Sequence, residues 1–251
     1  MKILEIFSLR KSFGGVRAVD DVTLSLNRGE IVGLIGPNGS GKTTLFNIIS
    51  GVYKPDSGRV LFEGKRIDGL PPHEIFRRGI MRSFQIPRTF TKLTVFENAL
   101  LTSNPQPGES PLKALSPSSW GSKEVENAKR AVSVLKSLSL LEVSGSWASE
   151  VSGGQMKLTE LSRVFMAKPK LILLDEPAAG VAPGLAHEIF RAIVRMRDEL
   201  GLTFFIIEHR LDVLFEYVER VLVMHQGRII VEGTPDEVVS DPLVEEAYLG
   251  D

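Results

Sequence analysis

The chain has no cysteine among its 251 residues, only two tryptophans and three tyrosines, and no surplus of either charge. The missing thiols exclude disulfides and cysteine nucleophiles, and they leave a cytosolic location open. With 30 Lys and Arg against 31 Asp and Glu, the formal net charge is −1, so no global basic field points to nucleic acid or to an anionic membrane surface. No apolar run approaches the roughly 20 residues that cross a bilayer, so any membrane role must come through a partner. The opening Met1-Lys-Ile-Leu-Glu-Ile-Phe7 alternates like a strand and lacks the apolar stretch of a signal peptide. Internal repeats and low-complexity tracts are also missing. What remains is a chain long enough to bury a sizeable core, as one large domain or as a domain with a subdomain.

Against these absences stands Gly36-Pro-Asn-Gly-Ser-Gly-Lys-Thr-Thr44. The spacing G-x-x-x-x-G-K-T puts Gly36, Gly39 and Gly41 where backbone N–H groups turn inward around phosphate oxygens. In such a loop Pro37, Asn38 and Ser40 line the cradle, Lys42 reaches the β- and γ-phosphates, and the Thr43 hydroxyl can ligate Mg²⁺, with Thr44 beside it. Glu30 to Ile35 reads as a buried strand, and Lys42 to Ser50 as a helix stopped by Gly51, so bound phosphates would sit on a helix N-terminus.

Before and after this loop the pattern alternates. Val22, Leu24 and Leu26 interleave with polar residues, Pro55-Asp-Ser-Gly58 is a turn, and Arg59 to Glu63 alternates again, which predicts a small antiparallel sheet leaning on a parallel core. Ser103 to Gly121, with four prolines among serines and glycines, reads as a surface loop. Ser122 is expected to cap a helix whose face is Val125, Ala128, Val132, Leu135 and Leu138. The domain reading is therefore one nucleotide fold over 1–251, with residues 1–87 and 151–251 as its core and residues 88–150 as a helical insertion.

Further on, Leu158, Leu161 and Phe165 give a helix one apolar face, and Leu171 to Leu174 is apolar throughout, as in a central parallel strand. Asp175 and Glu176 then fall at the carboxyl end of that strand, where open α/β sheets place ligands. Asp175 would hold Mg²⁺, and Glu176 would orient or accept a proton from an attacking water. Two adjacent acids can also simply start a helix, but the apolar strand before them and Pro177 after them favour the functional reading.

With Val151-Ser-Gly-Gly-Gln155 opening a helix ahead of Asp175, the chain is identified as a member of the ABC transporter ATP-binding family, whose signature is Ser152-Gly153-Gly154-Gln155. The resemblance runs from Phe13 to the C-terminal helices. It implies the α/β fold of a P-loop ABC-type nucleotide-binding domain, with a parallel core sheet, an antiparallel β subdomain and a helical subdomain, and an ATPase using ATP and Mg²⁺. It implies that Phe13 stacks on adenine, that Gln85 contacts Mg²⁺ and the attacking water, and that His209 contacts the γ-phosphate. His73, His187 and His225 carry no motif and read as structural. It also implies that Ser152 to Gln155 complete the ATP site of a second ABC ATPase subunit in a head-to-tail dimer. The remaining implied partners are transmembrane permease subunits at the cytoplasmic face of the membrane, with a solute-binding protein acting indirectly and no nucleic acid.

Within the family, Gly51-Val-Tyr-Lys-Pro55, Gly69-Leu-Pro-Pro72, Arg82-Ser-Phe-Gln85 and Glu208-His209 resemble importers of branched-chain amino acids. ATPases of lipopolysaccharide export or of amide and urea uptake, and soluble ABC ATPases without a transport role, are the alternatives. The chain departs from the family pattern at three places: Val151 replaces leucine, the pair Met156-Lys157 replaces a more arginine-rich pair, and Ala182 stands where Asp or Asn is usual, at a position that helps join the two sites of a dimer.

Overall fold

The computed structural model describes residues 1–82, 89–103 and 117–249, with side chains over 120–248 in the last stretch. In chain order the elements are β1 (Lys2–Phe13), β2 (Val16–Asn27), β3 (Ile31–Ile35), α1 (Lys42–Ile49), β4 (Ser57–Phe62), β5 (Lys65–Arg66), α2 (Pro72–Arg78) and β6 (Ile80–Arg82). They continue with α3 (Val95–Leu100), α4 (Pro117–Ser137), α5 (Gly153–Met166), β7 (Leu171–Asp175) and α6 (Pro183–Leu200). The last are β8 (Thr203–Ile207), α7 (Leu211–Leu214), β9 (Arg220–His225), β10 (Arg228–Gly233), α8 (Pro235–Val239) and α9 (Pro242–Leu249).

The chain divides into two compact units, residues 1–85 with 170–251, and residues 86–169. The first holds two sheets. Strands β2, β1, β4 and β5 form an antiparallel sheet, and β10, β9, β3, β8, β7 and β6 lie side by side in a second sheet. Within the second sheet β9, β3, β8, β7 and β6 run parallel, with β10 antiparallel at the edge. The alternation read from Val22, Leu24 and Leu26 is real: all three are buried. The uninterrupted apolar runs of β3, β7 and β8 are buried at every position, as expected of strands covered on both faces. Residues of both sheets, with Leu45, Phe46, Ile48 and Ile49 of α1, join in one core. Phe46 packs on Phe205 of β8 with ring centroids 5.1 Å apart, which fixes the helix that follows the glycine-rich loop.

The second unit is helical, with α3, α4 and α5 packed on one another. Helix α5 belongs to it, so this unit reaches past residue 150, where the sequence reading ended the insertion. The apolar face Leu158, Leu161 and Phe165 is buried, as its pattern predicts. Helix α4 begins at Pro117, which places Ser122 inside it instead of at its cap. Its buried stripe is Asn127, Ala131, Val134 and Leu135, continued just past its end by Leu138, while Val125 and Val132 are exposed. The phase is set by a buried asparagine that an apolar pattern passes over.

Candidate functional site

The loop of residues 36–41 leaves the carboxyl end of the inner strand β3 and enters α1 through Gly41, whose φ of 104° makes a left-handed N-cap. No acidic side chain stands in the first turn of α1, so the helix itself carries nothing that offsets the partial positive charge of its N-terminus. The glycines serve partly for a reason other than phosphate access. A Cβ at Gly36 would come 2.0 Å from the Met224 carbonyl oxygen, and one at Gly41 would come 2.0 Å from that of Ala18. Gly39, by contrast, faces open space and is held to glycine only by its φ of +80°. The loop is also tied down: the Gly227 amide donates to the Ser40 carbonyl at 2.9 Å, and the Asp20 amide donates to the Gly227 carbonyl at 2.8 Å.

Lys42 curls back into the loop. Its Nζ donates to the carbonyls of Gly36 and Pro37, both at 2.8 Å, and to Ser40 Oγ at 3.3 Å. Burial pushes this ammonium below its ordinary value, and the carboxylates of Glu176 and Asp175 oppose the shift. The loop opens on a cleft of about 280 Å³, lined by Asn38, Gly39, Gly41, Lys42, Thr43 and Thr44, by Val16 and Ala18, and by Glu176, Ile207 and His209.

Asp175 closes strand β7, and Glu176 follows with φ at 50°, a left-handed conformation unusual for a residue with a Cβ. The Glu176 amide donates to the Ile207 carbonyl at 2.8 Å, while Oε1 lies 3.2 Å from Nε2 of His209. Sequence reasoning had placed those two side chains at the ends of separate strands, and the structure brings them together. It also shows what holds them. Glu208, only 2% exposed, accepts hydrogen bonds from the amides of Ala178 at 2.9 Å, His209 at 2.9 Å and Arg210 at 3.2 Å. One carboxylate thus ties the segment after Glu176 to the segment carrying His209. No motif announced that role; a charged residue closing an apolar strand was the only signal.

The other expected residues are placed as follows. Phe13, at the end of β1, is 44% exposed and is absent from the cleft lining; its ring meets Tyr53 edge-on at 5.2 Å, with Lys11 Nζ 5.4 Å from its centroid. Asp56 steadies this corner by accepting from Lys11 Nζ at 2.8 Å and from the Ser12 amide at 2.7 Å. Ser152 is the N-cap of α5, with its hydroxyl accepting from the Gln155 amide and Gln155 Oε1 accepting from the Ser152 amide at 3.0 Å, a reciprocal capping box. Gly153 has open space at its Cβ position. Gln85 lies outside the described residues. Tyr248 of α9 was not anticipated: burial raises its phenol above the ordinary value, and the backbone N–H of Gly36 acts against that shift.

A glycine loop on an inner parallel strand, a lysine inside it, and a glutamate paired with a histidine across the cleft define a phosphate-loop nucleoside triphosphatase. The family model for the ABC transporter matches residues 19–179, and that for the branched-chain amino acid ATP-binding cassette transporter matches residues 228–251. The chain is 47% identical to a protein of Methanocaldococcus jannaschii named probable branched-chain amino acid transport ATP-binding protein LivG, over 100% of this chain and 98% of the other. A crystal structure of an ATP-binding cassette in its ADP conformation superposes with a TM-score of 0.86 at 46% identity over the whole of both chains. A dimeric cassette in a post-hydrolysis state, bound to ADP and Pi, superposes with a TM-score of 0.74 at 25% identity, covering 93% of this chain and 99% of that one. The chain belongs to the ABC transporter family, as an ATP-binding cassette and an ATPase.

Proposed function

We propose that this chain hydrolyses ATP to drive the import of branched-chain amino acids, as a peripheral subunit on the cytoplasmic face of a membrane. The observation that carries the solute class is the full-length likeness to the LivG protein, which extends through the separately matched segment 228–251. Among the described residues no helix is long and apolar enough to cross a membrane, so the translocation path is assigned to transmembrane permease subunits, fed by a solute-binding protein. A second ABC ATPase subunit, identical or closely related, would face this one so that Ser152, Gly153, Gly154 and Gln155 of each cap the other's ATP.

The residues divide the work. The loop amides and the N-terminus of α1 receive the phosphates, and Lys42 exchanges its loop carbonyls for phosphate oxygens. Phe13, whose ring meets Tyr53 edge-on, offers the adenine an aromatic face. Glu176 orients the attacking water, and His209, 3.2 Å away, steadies that carboxylate and reaches the γ-phosphate. The donor set fits Mg²⁺: among the described residues no group of three or more His, Asp or Glu gathers as a metal cage, and magnesium characteristically takes one or two carboxylates together with phosphate and water. Asp175 and the Thr43 hydroxyl, with Gln85, would hold it, and when bound it would neutralise charge on the phosphates.

The test is affinity capture of Glu176→Gln from native membranes with ATP and Mg²⁺ present. The expected result is retained ATP binding, arrested hydrolysis, and co-purification of a hydrophobic permease pair with a second cassette ATPase. Recovery of soluble partners alone would overturn the transport reading, and wild-type hydrolysis would overturn the role of Glu176.

A further inference from the structure

The carboxylate of Asp175 is not left to itself. Arg82 sits on β6, in register with Leu173 of β7, and its Nη2 donates to Asp175 Oδ2 at 2.7 Å. Nη1 of the same guanidinium donates to Oδ1 of Asn47, on α1, at 2.5 Å. The plane lies 5.9 Å from the ring centroid of Phe46, and the buried Nε has no partner among the described residues. Both charged side chains are nearly dry, 14% exposed for Arg82 and 9% for Asp175. Among the described residues Oδ1 of Asp175 has no hydrogen-bond donor, and the Arg82 pair itself engages only Oδ2.

We propose that Arg82 is a positioning residue that clamps Asp175 so that Oδ1 is presented to the metal of the ATP complex. The inference rests on the reading above that Asp175 holds magnesium. A buried ion pair is a poor source of net stability, because desolvating two charges offsets most of their attraction, so its presence here calls for another purpose. Metal-ligating carboxylates are themselves commonly hydrogen-bonded, and losing such an outer partner typically costs about 10- to 100-fold in metal affinity. The guanidinium also withdraws negative charge from Asp175, which by itself would weaken metal binding. Orientation outweighs that loss because an unclamped carboxylate must give up rotational freedom each time it ligates, and because Arg82 joins three parts of the site, β6, the end of β7 and α1.

The experiment measures ATP affinity with Mn²⁺ as the probe metal and with chelator alone, in the Glu176→Gln background so that no hydrolysis intervenes. The metal-dependent gain in affinity is the readout. Arg82→Met is expected to shrink that gain about tenfold while leaving metal-free ATP affinity within about twofold. Arg82→Lys, which keeps the charge but cannot bridge Asn47 and Asp175 together, is expected to do the same, and it serves if the methionine variant does not fold. A gain that is unchanged or larger in the Arg82 variants overturns the proposal. Asp175→Asn is the control: if it loses the gain while the Arg82 variants keep it, only the clamp falls. If Asp175→Asn keeps the gain, the metal role of Asp175 falls and the clamp falls with it.

Discussion

Glu176 carries a conformational cost that its chemistry alone would not reveal. Its φ of 50° sets the side chain back across the cleft toward His209, and for a residue with a Cβ the left-handed region costs about 1–2 kcal/mol. Glu176→Gly and Glu176→Ala both remove the carboxylate, but only glycine relieves the strain. The glycine variant is therefore expected to be the more stable of the two by about 1 kcal/mol in urea unfolding, and equal stabilities would show that the backbone is unstrained there. Lys42 presents the opposite case, a residue whose function is prepared by the loop itself. Because its ammonium already has three oxygen partners, phosphate binding is an exchange of acceptors, and the charge accounts for the affinity. Lys42→Ala should weaken ATP binding by about 2 kcal/mol, read by calorimetry; unchanged affinity would remove the role. Lys42, Glu176 and His209, which line the cleft, could be picked out in the sequence because each lies within a local motif. Arg82 and Glu208 could not be, because a bond between residues 82 and 175, or between 178 and 208, is written in no contiguous stretch.

Among the elements, strands were the most legible, since alternation in β2 and unbroken apolar runs in β3, β7 and β8 report burial on one face or two. Helix α4 was read out of phase because its stripe starts at Asn127, 5% exposed, and because Val125 and Val132 are apolar but exposed. Tertiary packing on α3 and α5 chose between two overlapping stripes, which no single-helix pattern could do. Helix α6 shows the physical meaning of Ala182. This residue is the N-cap, and its methyl group can accept nothing from the helix's first amides. Ala182→Asn should stabilise the protein by about 1 kcal/mol, and a melting temperature that does not rise would place another partner on those amides. Helix α1 depends instead on packing: Phe46 is fully buried against Phe205, so Phe46→Ala should cost about 3–5 kcal/mol and weaken nucleotide binding along with stability.

At the level of the whole molecule, charge is balanced in total but arranged in local pairs. Asp20 is held below the ordinary carboxylate value of 3.8 by its hydrogen bond from Arg228, Asp56 by Lys11, and Glu63, below its ordinary 4.5, by Lys170. A lowered folded value means that the stabilisation is fully present above the unfolded value and disappears as pH falls through the folded one. Urea midpoints are thus expected to be flat near neutrality and to drop below about pH 4; a midpoint insensitive to acid would show that these pairs contribute nothing. The sheet order has a consequence for the birth of the protein. Strand β3 and its loop are made early, yet its hydrogen-bonded neighbours are β8 and β9, and the loop leans on Met224 and Gly227. Until those late residues leave the ribosome, the nascent chain carries the full motif with nothing beside its strand. An interrupted translation product ending before β8 is therefore expected not to bind ATP, and nucleotide capture by nascent chains is expected to begin only once β8 and β9 have been made.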